Sequence, residues 1–295
     1  MRTFVDLVLY GPRAGRKALL TSNGTPAGTA EPAEIDTSVA HAARVYDYLL
    51  GGKANFKVDR EVAERVYKAF PGGIDGVRAD VRAHRAALGR VVQFLVRDAG
   101  ITQFLDIGTG IPKENNVHEV AQRDAPRARI VYVDKDPIVL AHAHQLLRGT
   151  REGATSYIYG DLHDPQPILD EAAKTLDYSR PVAIMLFGIL HFFSDADDPV
   201  GLIGRLTAPL APGSYLALSH LASDVHADEM SETFKNLSAR MAEQVTLRSH
   251  DEVAALLGGL ELVEPGVVQA SQWRPDPGAA VVTSQVWLGV GRKAG

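Results

Sequence analysis

Cysteine is absent from the 295 residues, which excludes disulfide bonds, thiolate nucleophiles and cysteine-bound metals and agrees with a reducing compartment. No apolar run comes near the roughly 20 residues that span a bilayer, so no membrane partner is expected. The opening Phe4-Val5-Asp6-Leu7-Val8-Leu9-Tyr10 is too short for an export signal and carries an acid, and the expected location is the cytoplasm. Positive charge is not in excess either: a net charge of −5 argues against a nucleic-acid backbone as the main partner. His118-Glu119-Val120-Ala121-Gln122 has glutamine where a zinc helix needs its second histidine, and His142 and His144, two apart on a helix, point different ways, so no metal site is expected. Nor does a Gly-x-Ser-x-Gly elbow occur that would present a serine nucleophile.

What is present centres on Gln103-Phe104-Leu105-Asp106-Ile107-Gly108-Thr109-Gly110-Ile111-Pro112, an apolar run closed by an acid and two glycines. It reads as a buried strand entering a turn where backbone comes close to a ligand. In an α/β sheet ligands sit beyond the carboxyl ends of the strands. A dinucleotide fingerprint would place a third glycine at 113, where this chain has Lys113, and Asp106 precedes the first glycine instead of following the motif. Two further strand-like runs also end in acids: Ile130-Val131-Tyr132-Val133 in Asp134, and Thr155-Ser156-Tyr157-Ile158-Tyr159 in Gly160-Asp161-Leu162. Asp134 stands about twenty residues past the glycines, the spacing of an acid that accepts from both hydroxyls of a ribose. Asp-x-Gly-x-Gly resembles the cofactor motif of class I S-adenosylmethionine-dependent methyltransferases. That resemblance puts Asp106 near the methionine part of the cofactor, the glycines near the sugar, and Asp161 at the adenine amino group.

The rest of the chain divides into three parts. Residues 1–35, locally basic at Arg2, Arg13, Arg16 and Lys17 and then rich in glycine and proline, read as a flexible tail. Residues 36–100 carry three helical stretches: Thr37 to Leu50 stopped by Gly51-Gly52, Asp59 to Phe70 stopped by Pro71-Gly72-Gly73, and a long one with Val77, Val81, His84, Leu88, Val91 and Leu95 spaced by threes and fours. They are expected to form a cap over the mouth of the sheet. From 101 to 295 strands alternate with helices, including the wholly apolar Val182-Ala183-Ile184-Met185-Leu186-Phe187, a helix opened by Asp198-Pro199, the strand Tyr215-Leu216-Ala217-Leu218-Ser219, a polar helix from Glu229 to Met241, a capping box at Ser249-His250-Asp251-Glu252, and a last strand at Gln285 to Val290. Such alternation means a mostly parallel sheet with helices on both faces.

The chain closely resembles an uncharacterised bacterial family of S-adenosyl methyltransferases from Asp36 to its end. The likeness rests on Arg44, Tyr46, Asp47, Tyr48, Gly51 and Gly52 in the pattern Arg-x-Tyr-Asp-Tyr-x-x-Gly-Gly, on Asn55, Phe56, Asp59 and Arg60, and on Asp106 to Gly110. Asn116-Val117-His118-Glu119-Val120, Val133-Asp134-Lys135-Asp136-Pro137, Leu190-His191-Phe192 and Trp273-Arg274-Pro275 extend it. It implies an α/β fold of the class I methyltransferase, a Rossmann-like seven-stranded mostly parallel sheet with an N-terminal helical cap. S-adenosyl-L-methionine is the implied cofactor and S-adenosyl-L-homocysteine the product. Asp106, Gly108, Thr109, Gly110, Asp134, Lys135, Gly160, Asp161, Leu162 and Phe187 are the implied cofactor residues. Ile111 to Asn116 stands between the glycine turn and the next helix, where the class usually starts the helix at once, and this loop is expected to line the pocket.

A sulfonium methyl is already activated, so the protein's task is to align donor and acceptor and to take a proton. His191, after the fourth strand of the central series, is the candidate base, with a backbone-bonded structural histidine as the competing role. His118, His220 and Trp273 are candidates for the substrate half of the crevice, each with plain packing as the alternative. Tyr46 and Tyr48 are candidates for a ring facing the sulfonium, and burial against the sheet competes for both. The expected activity is methyl transfer to an oxygen or nitrogen of a small molecule; the oligomeric state, a homodimer included, is left open. Two rivals remain: a sensor or scaffold that binds the cofactor without catalysis, which a crevice plugged by the cap would favour, and a nicotinamide oxidoreductase, against which Lys113 and the early Asp106 speak.

Overall fold

The structure, a computed structural model, describes residues 19–20, 26–27, 36–146, 148–238, 244–278 and 281–295. Most of the basic N-terminal stretch therefore lies outside the described residues, as does Met241, the expected last residue of the polar helix that begins at Glu229. The helices are α1 (Ala42–Leu49), α2 (Lys57–Val66), α3 (Gly73–Arg97), α4 (Val117–Asp124), α5 (Pro137–Leu146), α6 (Pro165–Ala172), α7 (Pro199–Thr207), α8 (Ala227–Ser238) and α9 (His250–Leu256). The strands are β1 (Leu19–Leu20), β2 (Pro26–Ala27), β3 (Gln103–Ile107), β4 (Arg129–Asp134), β5 (Ala154–Tyr159), β6 (Ala183–Leu186), β7 (Tyr215–Leu221), β8 (Glu261–Leu262), β9 (Val268–Gln269) and β10 (Val286–Arg292). Among the described residues no helix is long and apolar enough to cross a membrane.

One sheet runs through the molecule in the order β2-β1-β5-β4-β3-β6-β7-β10-β8, with β9 against β10. β5, β4, β3, β6 and β7 are parallel, and β10 returns antiparallel to β7. The expected seven strands are β3 to β8 with β10, and the short pair β1 and β2 adds to the β5 edge. β8 had no signal in the sequence because only two residues pair, both exposed. The parallel strands alternate strictly. Phe104, Ile130, Tyr132, Tyr157, Ala183 and Met185 join the core under α3, α4 and α5, whereas Leu105, Ile107, Val131, Val133, Ile184 and Leu186 join the core under α6, α7 and α9. Helices on both faces leave β3 and β6 wholly buried, hence the apolar character of these central strands, whereas β5 nearer the edge is only partly buried and carries Thr155 and Ser156.

The strand order reverses between β3 and β6, so the crevice opens there, beyond the ends of β3, β4 and β6. A third apolar cluster roofs it: Val45 and Leu49 of α1, Ala63 and Val66 of α2, Tyr67, Phe70, and Val77 of α3 pack against Met230, Phe234 and Leu237 of α8. The roof is thus built by the N-terminal helices together with one much later helix. α3 serves both parts. At 25 residues it is about 37 Å long; Leu88, Val91, Val92 and Leu95 of its second half lie in the sheet's core, while Val77 of its first half lies in the roof. Where that stripe passes the crevice it turns polar, at Asp80 and His84.

The family pattern in α1 is the set of ties that holds the roof down. Arg44, 3 % exposed, pairs with Asp59 at 3.0 Å and also donates to the carbonyl of Asp36. Tyr46 hydrogen-bonds His84 of α3. Asp47, 1 % exposed, pairs with Lys113 of the loop after β3 and accepts from Asn55 at 2.7 Å. A Cβ at Gly52 would fall 2.0 Å from the Lys113 ammonium and 2.1 Å from the Asp47 carboxylate, so the second glycine leaves room for that pair. Lys113, which replaces the fingerprint glycine, therefore locks roof to crevice.

Candidate active site

A cavity of about 450 Å³ occupies the crevice between the strand tips and the roof, within the range of small-molecule sites. Asp106, Gly108, Thr109, Gly110, Asp134, Lys135, Gly160, Asp161, Leu162, Phe187, Tyr46, His191 and His220 all line it. Three of the residues proposed from sequence lie elsewhere, each for a visible reason. Tyr48 turns outward, donating to Glu64 at 2.7 Å with the Arg78 guanidinium over its ring. His118, 1 % exposed, is held under β4, where the Tyr132 hydroxyl lies 2.8 Å from both its backbone nitrogen and its Nδ1. Trp273, fully buried, packs edge-on to Phe94 beyond the second half of α3, and Arg90 clasps its carbonyl at 2.8 Å.

The glycine turn is anchored to the tip of β4. The backbone nitrogen of Gly108 donates to the Val133 carbonyl at 2.8 Å, and that of Gly110 donates to the Asp134 carboxylate at 2.8 Å. Gly108 sits at φ +78, and a Cβ there would meet the Ile189 side chain at 2.4 Å, so no other residue fits the turn. Asp134 also accepts from the Asp136 nitrogen at 2.9 Å. Burial raises its carboxyl to about 6, the charge of Asp136 adding to the effect and the two backbone donors opposing it. Asp106 is raised further, to about 7, by burial first; Arg85 opposes the rise and Asp134 adds to it. At Asp161, half exposed, partial burial works upward, but the side chain and backbone of His163 and the ammonium of Lys135 hold it below the ordinary carboxylate value.

At the other end, Phe187 stacks on His84 with centroids 5.5 Å apart. His84 Nε2 lies 2.7 Å from Ser219 Oγ, which accepts from the Gly188 nitrogen, and His84 Nδ1 lies 3.2 Å from the Tyr46 hydroxyl. Burial lowers His84 to about 4, so this serine–histidine–tyrosine string is uncharged. His220 is spent on structure: Nδ1 donates to the Leu221 carbonyl at 2.9 Å, which leaves Nε2 as acceptor for Arg248 at 2.8 Å. His191 is different, since its Nδ1 is buried with no hydrogen-bond partner among the described residues. Burial, then the neighbouring His220 and His84 and the Arg248 charge, hold it well below the usual histidine value.

Sequence reasoning missed His84 and Arg85. His84 carried a signal, a histidine inside an apolar stripe. Arg85 also lines the cavity, and its Nε is buried with no partner among the described residues. Nor does the roof plug the crevice, the arrangement a non-catalytic binder would favour, because roof residues form its wall.

A mostly parallel sheet reversing at its centre, with a glycine turn and strand-end acids around one cavity, is the arrangement expected of a class I S-adenosylmethionine-dependent methyltransferase. The S-adenosyl methyltransferase family matches residues 28–294, and the chain belongs to it. The chain is similar to a DUF574 family protein from Streptomyces avermitilis, at 43% identity over 88% of this chain and 100% of that one, with a TM-score of 0.83. It is also similar to a candidate methyltransferase from Thermobifida fusca, at 39% identity over 88% of this chain and 97% of that one, with a TM-score of 0.80. No curated protein matches it.

Proposed function

We propose that this methyltransferase acts on an oxygen or nitrogen of a small molecule, with the cofactor held across the strand tips and His191 taking the acceptor's proton. The observation that carries the reading is that Asp106, Asp134 and Asp161, at or just beyond the ends of neighbouring strands, line one cavity that continues to a histidine nitrogen with no partner among the described residues. The residues suit the cofactor. Asp134 and Asp161 offer carboxylate oxygens to ribose hydroxyls and to an amino group, and Arg85 Nε is a buried donor needing the acceptor that a methionine carboxylate brings.

When bound, S-adenosylmethionine supplies a methyl carbon that bonds to the acceptor's lone pair as the carbon–sulfur electrons return to sulfur, leaving S-adenosylhomocysteine. The chain's own residues then do three things. Strand tips and glycine turn fix the donor, the roof excludes water and orients the acceptor, and His191, kept neutral by burial, receives at Nδ1 the proton that grows acidic as the bond forms. Calorimetry with S-adenosylhomocysteine tests the first step: wild type binds, and Asp134→Ala weakens binding by roughly 2 kcal/mol or more, the cost of lost charge-assisted hydrogen bonds. No binding to wild type would remove the reading.

A further inference from the structure

The half of the cavity under the roof differs in character from the half at the strand tips. Its wall is Val45, Leu49, Phe70, Val77, Phe234 and Leu237, all buried and contributed by α1, the turn after α2, α3 and α8. Tyr67 stands among them, its ring set edge-on to Phe70 at 6.0 Å and to Phe234 at 6.5 Å. The Tyr67 hydroxyl makes no hydrogen bond among the described residues, although the side chain lines the cavity and is 6 % exposed. A tyrosine whose ring is buried normally finds a partner for its hydroxyl, and here the cavity is where one can be supplied. The one acid on this side, Asp80, has an oxygen committed to Ser284 at 2.5 Å and the other to the Gln285 nitrogen at 3.1 Å. Bringing a charged acceptor here would desolvate it without an uncommitted counter-ion.

We propose that the methyl acceptor is an uncharged aromatic compound carrying a hydroxyl or amine that reacts beside His191 and a second polar group that bonds the Tyr67 hydroxyl. Aromatic walls favour a flat ring, and two polar groups fix its orientation: the hydroxyl of Tyr67, which lines the cavity, and His191 Nδ1, buried with no hydrogen-bond partner among the described residues. The assignment rests on the methyltransferase reading of the same cavity. In the reaction the acceptor's oxygen or nitrogen gains the methyl group and loses its proton to His191.

The test uses the full chain saturated with S-adenosylhomocysteine and three probes of one shape: 1-naphthol, 1-naphthoate and 1-naphthylmethylammonium. Calorimetry and ligand-observed NMR should show saturable binding of 1-naphthol and roughly tenfold or weaker binding of both ions. Val45→Asp should abolish 1-naphthol binding while S-adenosylhomocysteine still binds. Tyr67→Phe, which removes only the hydroxyl, should keep 1-naphthol but lower the affinity of 1,5-dihydroxynaphthalene by roughly fivefold, one lost hydrogen bond. If Val45→Asp does not fold, Tyr67→Phe decides. Either ion binding as tightly as 1-naphthol, no 1-naphthol binding by the loaded protein, or no effect of Tyr67→Phe overturns the acceptor class and leaves the cofactor reading standing. Failure of S-adenosylhomocysteine to bind overturns both.

Discussion

Asp134 and His191 are both buried, yet burial has opposite chemical consequences for them. A carboxylate accepts hydrogen bonds in its ionised form, and desolvation makes that form harder to reach, moving Asp134 up to about 6. Its folded value thus exceeds its unfolded one, so this group makes the ligand-free fold less stable as pH rises through that interval, and a ligand that needs the anion must displace a proton at lower pH. Affinity for S-adenosylhomocysteine should therefore be level above pH 7 and fall by about tenfold per unit below pH 6, one proton per site. In a calorimetric series Asp134→Asn should bind weakly and lose that limb, and any slope left near pH 7 reports Asp106. A wild-type affinity that does not change between pH 7 and 5 contradicts the assignment. For His191 burial disfavours the cation, so the neutral base persists through mildly acidic pH. With the cofactor saturating, kcat for an acceptor that turns over should be flat from pH 8 to 6. His191→Gln should lower kcat by roughly 10²-fold, as expected for a lost general base, with cofactor affinity unchanged. An unchanged kcat would pass the role to the Tyr46–His84 string.

The pair of Lys113 with Asp47 shows how an element acquires its place. α1 is eight residues long, too short to be stable by itself, and it is fixed by what its polar side chains reach. Lys113→Met would leave the 1 % exposed Asp47 carboxylate with Asn55 alone, an uncompensated buried charge costing about 3 kcal/mol. Denaturant titration should show that loss, and adding Asp47→Asn should restore much of it. Equal stability of wild type and Lys113→Met would mean the pair contributes nothing. The glycines before Lys113 were legible from sequence because their positive φ suits a residue without Cβ, and the acids at strand ends because each closes an apolar run. So was the alternation of elements, through the period of the apolar residues. Which of two helical side chains faces the cavity was not legible. Tyr48 sits two residues from Tyr46, so on a helix the pair points to different faces, one to His84 and the other to Glu64. His118 and Trp273 face partners far away in sequence, Tyr132 and Phe94, which no local pattern discloses.

At the scale of the molecule, the cavity lies between two bodies of unlike origin. The sheet and its flanking helices form two large apolar clusters, and the roof forms a third that joins α1 and α2 to α8 across most of the chain. Ties between roof and sheet run through polar contacts: Asp47 to Lys113, His41 to Asp136 at 2.9 Å, and Tyr46 to His84. Two of these three tie points, Lys113 and Asp136, lie in the loops that follow β3 and β4, the loops that bound the cofactor half of the cavity. A ligand fixing those loops restrains the roof as well, since binding stabilises only the arrangement it contacts. Hydrogen exchange should therefore slow in α1 and in α8 together when S-adenosylhomocysteine is added, by an amount that grows with its free concentration, and the central amides of β3 and β4, which exchange through global opening, should slow as well because the ligand makes that opening rarer. In Lys113→Met the slowing of α1 and α8 should shrink although the cofactor still binds. Protection confined to the glycine turn, with α8 unaffected, would mean that the roof opens independently of the strand tips, and the acceptor could then enter regardless of whether the cofactor site is filled.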